Sequence, residues 1–303
     1  MKKVVFLAMM SLLFFTACDK DNDNDKPQSL YSQYFSVSDT QKVVFSPGNL
    51  QWSATNGGST PTIHTVADGT AAGTWRFAPN QWDMVGWEGN TKISSVEMGT
   101  YTGWIDLFGW GTSGYNSKYP YLCTHRIVDY RNGNNNISNT NYDWGVYNAI
   151  YNPTTNTTDV PGTWRTLTYD ECVYLLHTRP TASNIRYARA NVHGVNGLII
   201  VPDNWSNSIC SLRESLLDYM YIKTSDWTKM EAAGCVFLPA SGQRIDGIDV
   251  RSVGRASCYW SSYMKDSDRG RVYVFYCGLG TDDVDGINEI CRGNSVRLVK
   301  DVE

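Results

Sequence analysis

The sequence predicts an α+β domain: two helices, short strands in small sheets, and extensive loops. Three observations carry this expectation. Short apolar runs stand between Gly, Pro and Asn breakers, the pattern of strands. Two segments alone combine helical spacing with a start or stop signal. Charged residues are 18% of the 303 and aromatics 13%, including 11 Trp and 19 Tyr, whereas an average domain is roughly 25% charged. Rings with few charges suit a β- and loop-rich core. An apolar content of 42% excludes wholesale disorder. No apolar run reaches the ~18 residues of a spanning helix. A formal charge of −4 argues against a nucleic-acid partner, which would require a basic face.

Residues 1–17 read as a secretory signal. Lys2 and Lys3 precede an apolar stretch at 4–15, and Thr16 and Ala17 supply small residues before Cys18. Residues 18–33 open with alternating Asp, Asn and Lys and read as a solvated tether, because nothing in that opening can pack. From residue 34 to 303 no linker divides the chain, so a single domain is expected.

In that domain Lys42-Val43-Val44-Phe45, Pro47-Gly48-Asn49 and Leu50-Gln51-Trp52 read as strand, turn and strand. Thr74-Trp75-Arg76-Phe77 reads as a further strand, and residues 131–160, rich in Asn, Thr and Gly, as surface loop. Thr168-Tyr169-Asp170-Glu171 matches a capping box, so a helix starts there, ends before Pro180, and leaves His177 at its C-terminus. Residues 197–202 read as a buried strand. A second helix is expected at 225–233, closed by Gly234, with a strand at 235–240. The C-terminal end reads as strands at 259–262, 272–276 and 295–299. Asp282, Asp283, Asp285 and Glu289 read as a solvated acidic turn, because the spacing of a calcium loop is incomplete.

Of eight cysteines, seven follow Cys18, an odd number that precludes complete pairing within the chain. Cys172 and Cys235 fall in apolar patterns and read as core. Cys258, Cys277 and Cys291 form no C-x-x-C pair. His64, His125, His177 and His193 lack metal-ligand spacing, so no metal or other cofactor is expected.

Several stretches resemble known proteins. Phe15-Thr16-Ala17-Cys18 is similar to a bacterial lipobox, which implies cleavage before Cys18 and a diacylglycerol on its sulfur. The acidic run after it resembles the export signal of surface lipoproteins of some Gram-negative anaerobes. Trp164-Arg165-Thr166-Leu167-Thr168, Leu198-Ile199-Ile200-Val201-Pro202-Asp203, Phe237-Leu238-Pro239-Ala240-Ser241-Gly242-Gln243-Arg244, Tyr259-Trp260-Ser261-Ser262 and Gly293-Asn294-Ser295-Val296-Arg297-Leu298-Val299 occur in this order. They resemble the major paralogous (FISUMP-type) surface lipoproteins. Phe45-Ser46-Pro47-Gly48-Asn49-Leu50-Gln51 and the Trp104 to Gly111 stretch resemble the N-terminal part of the same proteins. The resemblance implies a C-type-lectin-like fold, related to the formylglycine-generating enzymes, with an N-terminal β elaboration. It implies two helices, small twisted antiparallel sheets and paired terminal strands. It further implies a lipid-anchored protein of an outer membrane, exposed at the cell surface.

Within residues 244–293 the framework is interrupted by Tyr, Ser, Asp, Gly, Cys and Arg, several of which are types that antibody loops use. They are largely the residues that adenine mutation of Asn codons reaches, and they resemble the displayed residues of variable proteins of diversity-generating retroelements. The expected function is adhesin-like binding of a glycan or protein without catalysis. Tyr259, Tyr263 and Tyr276 would stack on the ligand, and Lys265, Asp266, Asp268 and Arg269 would supply polar specificity. The competing readings are an enzyme of the formylglycine-generating superfamily and a structural envelope or pilus subunit.

Overall fold

A computed structural model describes residues 34–54, 73–91, 101, 103–115, 136–213, 218–245, 249–266, 270–278 and 281–302. Residues 1–33, and with them the signal, Cys18 and the tether, lie outside the described residues. So do His64, Cys123, His125, Asp268 and Arg269, and the side chains of Asp266, Cys277 and residues 281–285.

The N-terminal part holds β1 (Phe35–Ser36), β2 (Lys42–Phe45), β3 (Leu50–Ser53), β4 (Thr74–Phe77) and helix α1 (Gly86–Thr91). Next come α2 (Trp144–Tyr147), β5 (Ile150–Asn152), β6 (Thr157–Asp159) and α3 (Tyr169–Val173), which a π-helical turn at Tyr174–Thr178 prolongs. The middle is β7 (Tyr187–Val192), β8 (Val195–Ile200), β9 (Met220–Ile222), α4 (Thr224–Ala232) and β10 (Val236–Pro239). The C-terminal part holds β11 (Gln243–Ile245), β12 (Asp249–Arg251), β13 (Ala256–Asp266), β14 (Arg271–Gly278), β15 (Thr281–Glu289) and β16 (Val299–Asp301). The class is therefore α+β, with small sheets and few helices.

Local chemistry explains the elements that the sequence announces. Thr168 caps α3, its hydroxyl accepting from Glu171 N, while the Glu171 carboxylate accepts from Thr168 N. His193 and Gly194, at φ +50° and +84°, turn β7 into β8 through a two-residue hairpin loop that requires left-handed backbone. Gly234, at φ +91°, follows α4 and releases the chain into β10.

The strands form sheets in the orders β1-β2-β16, β3-β4-β5-β6, β10-β8-β7-β9, β11-β12 and β13-β14-β15. β2 pairs with β16, so the two ends of the described domain meet in one sheet. Two pairs, β4–β5 and β7–β9, run parallel, so the sheets are not all antiparallel as expected.

Three apolar clusters fill the interior. The first is rich in tryptophan, with Trp52, Trp75, Trp110, Trp144, Trp164 and Trp260 against Met264, Val272 and Val274. The second lies under α3 and includes Leu175, Leu176, Leu238, Tyr259 and Phe275. The third packs Trp205 and Trp227 against β7, β8 and β10.

Several expectations are corrected. Residues 136–160 are not surface loop throughout: Trp144 and Ile150 are fully buried, and β5 joins a sheet. Large apolar side chains at wide spacing overrode a polar average. The acidic segment 281–289 is strand β15, paired with β14, rather than a turn. In the expected strand 295–299, ladder pairing begins only at Val299; Val296 and Leu298 instead accept from Leu50 N and Ser46 N. Helices α1 and α2, too short to show a period, have no counterpart in the sequence reading. Cys172 and Cys235 are buried, as their apolar neighbourhoods predict, and His177 ends the π-helical turn that follows α3.

Candidate ligand-binding face

The candidate face lies on the outer side of the β13-β14-β15 sheet, beyond the edge of α3. Strand alternation divides the side chains. Val272 and Val274 point into the tryptophan-rich core, and Phe275 on the other side is covered in the cluster under α3. Tyr273 shares the outer side with Phe275 but is half-buried, because the helical cover ends there.

A bulge builds the face. Trp260 pairs with Val274 and Met264 with Val272, so Ser261, Ser262 and Tyr263 stand opposite Tyr273 alone. The extra backbone finds partners outside the sheet. Ser262 N donates to Leu167 O at 2.8 Å, Ile137 N donates to Ser262 O at 2.9 Å, and Trp110 Nε1 donates to Ser261 O at 2.9 Å. Met264 points inward, and Tyr263 and Lys265 on either side of it are exposed.

The result is a ladder of three rings. Tyr169, the first residue of α3, stacks on Tyr273 with centroids 3.8 Å apart, and Tyr263 stands 6.4 Å from Tyr273 at an interplanar angle of 25°. Lys265 Nζ lies 5.1 Å from the Tyr273 centroid, within cation–π range. Ile287, opposite Tyr273 on β15, is exposed.

Buried charge holds the ladder in place. Arg165 makes a bidentate pair with Glu171, at 2.8 and 2.7 Å, and a second pair with Asp301 at 2.7 Å, tying α3 to β16. Asp143 caps α2 and accepts from Thr166 N and Oγ1, both at 2.9 Å, so it fixes the approach to α3. Burial pushes the Asp143 carboxyl up to about 6, against the lowering effect of its Thr166 and Gly145 hydrogen bonds. Burial likewise pushes Asp106 up to about 6, although Val85 N and Asn90 donate to it. The Arg165 hydrogen bond holds Asp301 below its ordinary value.

The structure brings together Tyr263 and Lys265 of the expected residues. It does not bring Tyr259 there. That ring is 3% exposed, and its hydroxyl donates to Pro239 O at 2.9 Å and accepts from Asn49 Nδ2 at 3.1 Å. Tyr259 is a core residue because it lies under α3, where the outer side of the sheet is covered. Tyr276 is half-buried against the tryptophan-rich core, on the side of β14 opposite Tyr273. Asp266 ends β13, paired with Arg271. Cys258, expected in a loop surface, is buried in the first cluster. Sequence reasoning missed Tyr273 and Tyr169. Alternation along β14 separates Tyr273 from Val272 and Val274, but nothing local shows where α3 stops covering it.

Among the described residues, no group of three or more His, Cys, Asp or Glu side chains is placed to hold a metal ion, nor is any helix long and apolar enough to cross a membrane. No family model, no curated protein and no solved structure matches the chain.

Proposed function

We propose that this chain is a non-catalytic binding protein, held at the outer surface of a Gram-negative outer membrane by a lipid on Cys18, which recognises a glycan or protein ligand through the Tyr169–Tyr273–Tyr263 face. The observation that carries the reading is the three-ring ladder, in which Tyr263 is exposed and Tyr169 and Tyr273 are half-buried, with Lys265 beside it. Tyrosine offers a large rigid ring and a polar tip, a combination suited to contact area at low entropic cost. The ladder is also pre-ordered by the bulge and by the capped helix, which lowers the ordering cost of binding.

The finer fold reading, a C-type-lectin-like domain related to the variable proteins of retroelements, is supported by three features. The two ends of the described domain pair through β2 and β16, a capped helix packs on the C-terminal sheet, and the quoted framework motifs lie in or beside core strands. On this reading residues 244–293 are the diversified segment, and a template repeat differing mainly at adenines stands near the gene with a reverse transcriptase. A genome with neither removes the diversification part.

The binding test is a glycan and protein array probed with the full-length chain, with and without calcium, followed by Tyr263→Ala and Tyr273→Ala on every hit. Loss of binding in both variants is expected. Hits untouched by either variant overturn the proposed face. For the anchor, Cys18→Ser abolishes incorporation of labelled fatty acid, and retained labelling rejects it.

A further inference from the structure

A second candidate site lies at β2 and shares no residue with the tyrosine face. Val44 lines two adjoining clefts. One, of about 210 Å³, is floored by Phe35, Phe45 and Val236, with Gln81, Thr154 and Glu231 around it. The other, of about 330 Å³, is bounded by Tyr34, Asp159, Trp164 and Lys300. The turn between β5 and β6 stands between them, giving Thr154 to the first and Thr155 to the second.

The first cleft has a fixed polar wall. Gln81 is held at all four of its hydrogen-bonding positions. Its Oε1 accepts from Arg297 Nη2 at 2.9 Å and Phe237 N at 2.7 Å. Its Nε2 donates to Glu231 Oε1 at 3.0 Å and Cys235 O at 3.2 Å. The amide thus joins the buried Arg297 guanidinium to the Glu231 carboxylate. Arg297 forms no ion pair among the described residues, and its Nε has no hydrogen-bond partner. A buried cation without a direct counter-charge is costly, so Glu231, acting through Gln81, is its compensation. Among the described residues nothing donates to Oε2 of Glu231, which can accept from a ligand.

The second cleft repeats the arrangement. Asp159 Oδ2 accepts from Trp164 Nε1 at 2.9 Å and Asn152 Nδ2 at 3.1 Å, which orients the carboxylate and leaves Oδ1 open. Arg165 is shared by Glu171 and Asp301, and Glu231 meets Arg297 only through Gln81, so the groove presents carboxylate acceptors with Lys300 beside them. An apolar floor, oriented carboxylate acceptors and turn hydroxyls define the ligand. An anion would meet three carboxylates, and a basic peptide would meet Lys300, with Lys42 nearby over the Tyr34 ring at 6.0 Å.

We propose that the two clefts form one groove that binds a neutral oligosaccharide, with sugar ring faces on Val44 and Tyr34 and hydroxyls donating to Glu231 and Asp159. Saturation-transfer NMR on the full-length chain tests this, with cellotriose, maltotriose, xylotriose, mannotriose and chitotriose as probes. At least one binds with a Kd below about 1 mM. Thr154→Trp, at an exposed turn position that the fold tolerates, weakens it at least tenfold, and Asp159→Asn weakens it as well. Failure of all five sugars overturns the proposal. So does sugar binding that neither variant changes, and so does a hexalysine peptide binding where the sugars do not.

Discussion

The two sides of the C-terminal sheet are built from the same strands yet do opposite work. On the inner side Trp260, Met264, Val272 and Val274 are closed into the tryptophan-rich core, and Trp260 Nε1 donates to Phe108 O at 2.6 Å. On the outer side the cover is partial: α3 shields Tyr259 and Phe275, and past its first residue Tyr273 and Tyr263 remain accessible. Tyrosine at position 259 is core and tyrosine at 263 is surface, although four residues of one strand separate them. The bulge and the end of a helix, not the residue type, decide which tyrosines can meet a ligand.

The most severe way to break this contrast is Trp260→Ala. Loss of a buried indole with its hydrogen bond removes about 3–5 kcal/mol of stability, read by urea unfolding, and a loss below 1 kcal/mol places Trp260 outside the core. Next is Arg165→Met, which leaves Glu171 buried without its partner. A loss of about 3 kcal/mol is expected, together with weaker ligand binding, because α3 carries Tyr169.

A third experiment probes the buried carboxylates. Asp106 and Asp143 have folded-state values raised to about 6 from an ordinary 3.8. A raised carboxylate binds more protons folded than unfolded, so each makes stability fall as pH rises from about 4 to 6. Each contribution is of the order of 2–3 kcal/mol. Asp143→Asn flattens that part of the stability–pH curve, and an unchanged slope assigns it elsewhere. Asp301 acts in the opposite sense: held low by Arg165, it adds stability that is lost as pH falls below the ordinary aspartate value.

The smallest effect on stability sharpens the contrast most. Tyr273→Ala removes two ring contacts on the outer side of the sheet and costs about 1 kcal/mol, yet it abolishes binding at the proposed face. If the same variant unfolds the protein as Trp260→Ala does, the outer side is core after all.

Much of the fold was legible because the signals were local. The capping box at Thr168, the stop at Gly234 and the apolar runs at 42–45, 74–77, 197–202 and 235–240 each depend on a few adjacent residues. The errors came where partners lie far away in sequence. Residues 131–160 read as loop because Trp144 and Ile150 are isolated apolar residues whose burial depends on strands and turns elsewhere. Of the site, Tyr263 and Lys265 were found from composition. Tyr276 was misplaced because composition does not distinguish the two sides of a strand, and Tyr259 because nothing local shows that α3 covers that part of the outer side.

By itself the sequence determined the α+β class, the caps and breakers that bound its elements, and an aromatic-rich, charge-poor core. These follow from side-chain preference and short-range hydrogen bonding, which act over a turn or a strand. Only the tertiary structure decided which tyrosines are exposed, that Tyr169 of a helix completes a ladder begun on two strands, and that Gln81 links Arg297 to Glu231 across the fold. Those outcomes depend on where a helix stops and which backbone a bulge releases, and both are set by packing between segments more than a hundred residues apart.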